Sequence, residues 1–94
     1  MRLRYSREAL DDLDDACDWT GLNRSERQAE RLSQVILDAI DDLLMWPERG
    51  RQGRMPGTRK LVVPRIPFFV VYRLIGRDIR VLAIFHQSRA WPPR

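Results

Sequence analysis

Residues 68–86 read FFVVYRLIGRDIRVLAIFH, and this stretch decides the fold. Phe68 to Ile75 is a run of β-branched, aromatic and aliphatic side chains interrupted by one charge, Arg73. Gly76-Arg77-Asp78 is a turn signal, and Ile79 to His86 resumes the same composition. Two such runs joined by a short turn make an antiparallel hairpin. On the first strand Phe68, Val70, Tyr72 and Leu74 oppose Phe69, Val71, Arg73 and Ile75. Strict alternation on the second sets Ile79, Val81, Ala83 and Phe85 against Arg80, Leu82, Ile84 and His86. Both faces are then largely apolar, which predicts helices on one side of the sheet and partial cover by a partner on the other.

Working back from the hairpin, Arg59 to Val63 is a further strand, broken by Pro64. Before it, Pro47 to Thr58 (PERGRQGRMPGT) interleaves three glycines and two prolines with Arg49, Arg51 and Arg54, the composition of a basic loop. Residues 25–45 carry the strongest helical signal: Ser25 and Gln28 form a capping box, and Ala29, Leu32, Ile36, Ala39, Ile40 and Leu43 recur at steps of three and four. Trp46-Pro47 ends that helix. A first helix over 7–20 follows the N-cap residue Ser6, with Leu10, Leu13, Cys17 and Thr20 on one face and Gly21 as its stop signal. Its other face carries Asp11, Asp12, Asp14, Asp15 and Asp18, read as a solvated acidic surface. Residues 1–5 alternate as a short half-buried strand. The expected architecture is α+β: an N-terminal strand at 1–5, a helical hairpin, then a three-stranded antiparallel meander at 59–63, 68–75 and 79–86. Residues 1–94 are read as one domain, with a strand and acidic helical hairpin over 1–46 and a basic loop, meander and short tail over 47–94.

Ninety-four residues, 44% hydrophobic and 32% charged, are the size and composition of one globular core. The charges are divided between the halves. Residues 1–46 hold six basic and eleven acidic side chains, a net of −5, whereas residues 47–94 hold eleven basic and two acidic, a net of +9. Sixteen of the seventeen basic residues are arginine, whose planar fork binds phosphate or carboxylate bidentately, so an acidic partner is expected. A single cysteine, Cys17, excludes an internal disulfide, supplies too few thiolates for a zinc site, and is read as a small core residue. The opening residues lack an export signal and the longest nearly apolar stretch contains Pro67, so a cytoplasmic protein without membrane association, metal or cofactor is expected.

Glycine-rich phosphate loops, paired carboxylates in a plausible cleft and nucleophile–histidine spacings are not found in the sequence, which removes most enzyme classes. What remains is a set of phosphate-directed side chains on the sheet and its loops: Arg59, Lys60, Arg65, Arg73, His86 and Arg89. They suit RNA cleavage by a 2′-hydroxyl, with His86 titrating in the useful range and cations holding the phosphorane charge. They suit a carboxylate-rich protein equally well, and a basic nucleic-acid-binding module is a further reading. Trp46 and Trp91 are candidate anchors for a partner, Trp46 being otherwise a core cap at the helix end.

Gly50-Arg51, Arg54-x-Pro56-Gly57-Thr58-Arg59-Lys60-Leu61, Pro67-Phe68-Phe69-Val70-Val71-Tyr72-Arg73 and Ile79-Arg80-Val81-Leu82, ending in His86-x-x-Arg89-x-Trp91-Pro92, together resemble the C-terminal half of the RelE/ParE superfamily of bacterial toxins. The strand and helical hairpin before them resemble its N-terminal half. The resemblance implies the toxin of a type II toxin–antitoxin module, held inactive by a co-encoded antitoxin with an acidic, partly disordered segment. It implies that the antitoxin lies in the groove between hairpin and sheet, with Arg59, Arg65, Arg73, Arg89 and Trp91 contacting antitoxin or target. Members of the messenger-RNA-cleaving branch of the superfamily commonly carry an arginine on the second-last strand in an Arg-x-Val-Tyr arrangement, and end in a catalytic tyrosine or a His-Tyr pair. Here those places hold Phe69 and, after His86, Gln87. The Tyr72-Arg73 and His86-x-x-Arg89 arrangements are more similar to the ParE branch, which poisons DNA gyrase. In the ribonuclease alternative, the ribosome and its message are the target and His86, Arg59, Lys60 and Arg73 are the catalytic set.

Overall fold

A computed structural model describes residues 1–88. Arg89 and Trp91, two of the expected contact residues, lie outside the described residues. The chain runs β1 (Arg2–Tyr5), α1 (Arg7–Asn23), α2 (Glu26–Asp41), a 3-10 turn (Asp42–Leu44), β2 (Arg51–Gln52), β3 (Arg59–Val62), β4 (Phe68–Ile75) and β5 (Asp78–His86). The sheet order is β1-β5-β4-β3-β2. The meander β3-β4-β5 is antiparallel as expected, and β1 lies parallel to β5 at the edge, with Leu3 opposite Ile79 and Tyr5 opposite Val81.

Local signals explain where most elements begin. Ser6 and Ser25 each turn a side-chain oxygen onto an orphan N–H three residues on, from Ala9 at 3.0 Å and from Gln28 at 3.1 Å. The expected stop at Gly21 does not operate, and α1 continues to Asn23. A Cβ built on Gly21 would lie 3.9 Å from that of Ala29, in ordinary van der Waals contact across the helical hairpin. The helix ends when the Thr20 carbonyl accepts both the Arg24 and Ser25 N–H groups. The second helix was expected to reach 45, but its last turn tightens to a 3-10 turn before Pro47.

The basic loop carries an unexpected strand. Arg51 and Gln52 pair with Lys60 and Arg59, adding a fifth, two-residue strand to the sheet. The turn between them is closed by Gly53 N–H on the Thr58 carbonyl at 2.8 Å and by the Thr58 hydroxyl on the Met55 carbonyl at 2.6 Å, with Gly57 at a φ of 79°.

The alternation expected on β5 is also broken. Pairing steps from Val71–Ala83 to Tyr72–Val81, so Leu82 has no partner and forms a β-bulge. The bulge reverses the phase of every residue after it. Ile79, Val81 and Ile84 therefore share the helix-facing core with Val70 and Tyr72, together with Ile36 and Ile40 of α2 and Ala9 of α1. Ala83 and Phe85 turn to the outer face with Phe69 and Val71, where they form a second, smaller cluster.

Candidate functional site

A groove of about 920 Å³ opens between the helical hairpin and the end of the β4–β5 hairpin. Trp19, Leu32, Val35 and Phe68 give it an apolar floor and wall. Cations stand along it from three elements: Arg24 from the interhelical connection, Arg31 from α2 and Arg65 from the β3–β4 turn. Arg65 holds a φ of 75° and is exposed, projecting its guanidinium from a left-handed turn residue. Asp12 and Asp15 line the α1 side. An amphipathic segment with a few carboxylates matches this combination.

His86 stands at the same end. Its ring packs edge-on against Phe68, centroids 5.3 Å apart, and its Nδ1 accepts the backbone N–H of Ser88 at 3.1 Å while lying 2.9 Å from the Ser88 hydroxyl. Nδ1 is thus taken up locally by Ser88.

At the far end of β4, Tyr72 and Arg59 hold the basic loop to the sheet. The fully buried Tyr72 hydroxyl donates to the Pro47 carbonyl at 2.7 Å and accepts the Gly50 N–H at 2.9 Å. Burial raises this phenol above its ordinary value of 10.0, with the Gly50 N–H and the Arg59 charge opposing the shift. The Arg59 guanidinium donates to the carbonyls of Gly50 at 2.7 Å and Glu48 at 3.2 Å. Both bonds come from one nitrogen, Nη1, at the base of the loop.

The remaining candidates face the other way. Cross-strand partners share a face, so Lys60, opposite Val71, and Arg73, two residues along β4, both lie on the outer side of the sheet. The Lys60 ammonium sits 4.2 Å above the Phe69 ring, and exposed Arg73 runs beside Gly57. His86, Arg59, Lys60 and Arg73 are therefore not one constellation. The strand partners of His86 and Arg59, Phe68 and Tyr72, are four residues apart, about 13 Å along β4, and Lys60 and Arg73 occupy the opposite face. Trp46, read as a core cap or an anchor, is 57% exposed with Arg49 5.7 Å above its ring, so it does not cap the core.

Sequence reasoning missed Arg24 and Arg31, because only the turn of the hairpin brings them opposite the sheet. No group of three or more potential metal-ligating side chains occurs among the described residues, and no described helix is long and apolar enough to cross a membrane.

Comparison with known proteins now identifies the family. The sequence model of the ParE toxin of the type II toxin–antitoxin system parDE matches residues 3–91. The Sinorhizobium fredii protein named "Putative toxin Y4kP" is 35% identical over 91 residues, covering 97% of this chain and 93% of its own. Toxin RelE1 of Caulobacter vibrioides is 34% identical over 67 residues, covering 69% and 71%. Among solved structures, a chain of the chromosomal ParDE toxin–antitoxin system from P. aeruginosa superposes with a TM-score of 0.84 at 30% identity, covering 92% of this chain and 95% of the other. The chain belongs to the ParE toxin family, within the RelE/ParE superfamily of type II toxin–antitoxin systems.

Proposed function

We propose that this toxin arrests growth by inhibiting DNA gyrase in the cytoplasm, and that its cognate antitoxin silences it from the groove. The observation that carries the gyrase reading is the dispersal of the four groups a ribonuclease would use. Charge stabilisation of a phosphorane requires donors preorganised around one position, and each such donor is worth roughly 10²–10³ in rate. Here one nitrogen of the Arg59 guanidinium is engaged by the loop backbone and the Nδ1 of His86 is taken up by Ser88. Phe69, buried under Lys60, fills the place at which the superfamily's nucleases carry an arginine. In the groove, the antitoxin's apolar side chains cover Trp19, Leu32, Val35 and Phe68, and its carboxylates meet Arg24, Arg31 and Arg65.

Induced expression in a bacterium, with and without the antitoxin encoded beside it, tests both parts. The chain alone should stop growth and the pair should not. His86→Ala should keep its toxicity within a few-fold, because a strand-end histidine is dispensable to a gyrase inhibitor. Loss of toxicity in a folded His86→Ala chain would favour the ribonuclease reading, and a harmless folded wild type would favour a non-toxic nucleic-acid-binding module.

A further inference from the structure

Like charges directly opposite one another on adjacent strands destabilise a sheet. The outer face of this one has three such pairs. Arg73 is registered with Arg80, Arg80 with Arg4, and Arg51 with Lys60. The first two pairs form one row of arginines across β4, β5 and β1, all exposed, with strands spaced about 4.8 Å apart. Asp78, two residues before Arg80 on β5, is taken up by Arg2 at 3.3 Å and Arg4 at 3.2 Å. Among the described residues, Arg73 and Arg80 have no acidic partner.

We propose that this row, with Lys60 and Arg51 beside it, is a docking surface for the phosphate backbone of duplex DNA. Arginine forks match phosphate oxygens bidentately, and an external polyanion removes the repulsion the sheet otherwise bears. The choice of DNA rests on the gyrase reading, since that enzyme works with DNA bound. A duplex is favoured over a single strand because single strands stack bases on open aromatic faces. On this face Phe69 is only 1% exposed and its ring is occupied by Lys60. The surface lies on the opposite side of the sheet from the hairpin, so it is distinct from the groove.

The test is anisotropy of a labelled 20-base-pair duplex titrated with the full chain between 50 and 200 mM salt. Each phosphate contact contributes about 0.9 to the log–log salt slope, about 3.5-fold in affinity over this range. R73Q/R80Q should lower the slope by about 1.8, whereas R7Q/R27Q, which removes the same charge from the exposed helical surface, should leave it unchanged. R73Q/R80Q should also melt no lower than wild type, since it relieves like-charge pairs, and D78N should bind the duplex more tightly. Failure of the wild type to bind duplex, an unchanged slope in R73Q/R80Q, or preference for polyglutamate or single-stranded RNA over duplex would overturn the surface. Supercoiling assays on the same preparations keep the two readings apart. Gyrase inhibition without duplex binding overturns the surface alone; duplex binding without gyrase inhibition supports the surface and removes the gyrase reading.

Discussion

The carboxylate of Asp12 accepts the backbone N–H of Ile84 at 2.9 Å. Strand β1 ends at Tyr5, opposite Val81, so beyond that rung β5 has no strand on its β1 side. Helix α1 takes over: the Ser6 N–H meets the Val81 carbonyl, the Ser6 hydroxyl donates to the Leu82 carbonyl at 2.8 Å, and Asp12 reaches Ile84 from the second turn of the helix. The same three contacts satisfy the backbone around the bulge at Leu82, so one of the five aspartates of α1 caps the sheet as well as lining the groove.

Asp12→Ala should therefore destabilise the protein by about 1.5–3 kcal/mol, the range for a hydrogen bond to a charged group, and lower the melting temperature by roughly 10 °C. Asp12→Asn keeps an acceptor and should lose less than half as much. Asp14→Ala and Asp15→Ala, both exposed, should stay within about 0.5 kcal/mol of wild type. Thermal melts of the four variants compare these outcomes directly, and equal losses for Asp12 and Asp15 would count against the cap.

Tyr72 supplies the second prediction. Removing its hydroxyl in Tyr72→Phe strands the Gly50 N–H and Pro47 carbonyl, at a cost of about 1–3 kcal/mol. The pH dependence has a definite sign. A phenol raised on folding binds its proton more tightly in the native state, so its contribution is complete below pH 10.0 and is lost as pH rises through the native value. Wild-type stability should fall above pH 10 and Tyr72→Phe should fall less steeply; the residual slope belongs to Tyr5 and Cys17, which burial also raises. Denaturant midpoints from pH 8 to 11 would expose the opposite trend.

Gly50 is packed against the same ring. A Cβ there would stand 2.7 Å from the Tyr72 ring and 3.1 Å from the Lys60 backbone carbonyl carbon, so Gly50→Ala must displace one of them. We expect a loss of about 1–3 kcal/mol from overpacking and faster amide exchange at Gly53, whose N–H closes the loop turn. Gly76→Ala meets no atom but holds a φ of 59°, so its cost should be conformational, about 1 kcal/mol, and leave Gly53 protected. Equal exchange in the two variants would separate Gly50 from the loop.

Much of this fold was readable from residue order. The hairpin at 68–86, the capping serines and the stripe on α2 carry their periodicity openly, and the observed elements fall within a few residues of expectation. The departures have a common cause. One extra residue at Leu82 inverts the faces beyond it, and no pattern of apolar residues reports such an insertion when both faces are apolar. Arg59 was picked out for its chemistry, but its engagement with Glu48 and Gly50 depends on a loop whose path comes from β2 pairing, invisible in two residues. The groove cations and the arginine row arise from contacts between distant segments, so charge division foretold a basic surface without saying which face bears it.

The groove reading predicts that Arg31→Glu and Arg65→Glu weaken the antitoxin complex by one to two orders of magnitude each, since reversing a rim charge replaces attraction with repulsion. Calorimetric titration with the antitoxin would measure this, and the losses should shrink in high salt. Charge reversal at Arg7, exposed near the start of α1, should change the affinity by less than about threefold. A complex indifferent to Arg31 and Arg65 would move the antitoxin out of the groove.

The most direct measurement of the central claim adds purified toxin, in parallel, to gyrase with supercoiled or relaxed plasmid and to ribosomes translating a labelled message. The account predicts lowered supercoiling or accumulated cleaved DNA in the first reaction, relieved by the antitoxin, and an intact message in the second. Message cut in codon register by the wild-type chain, lost in His86→Ala, with supercoiling unaffected, would contradict it.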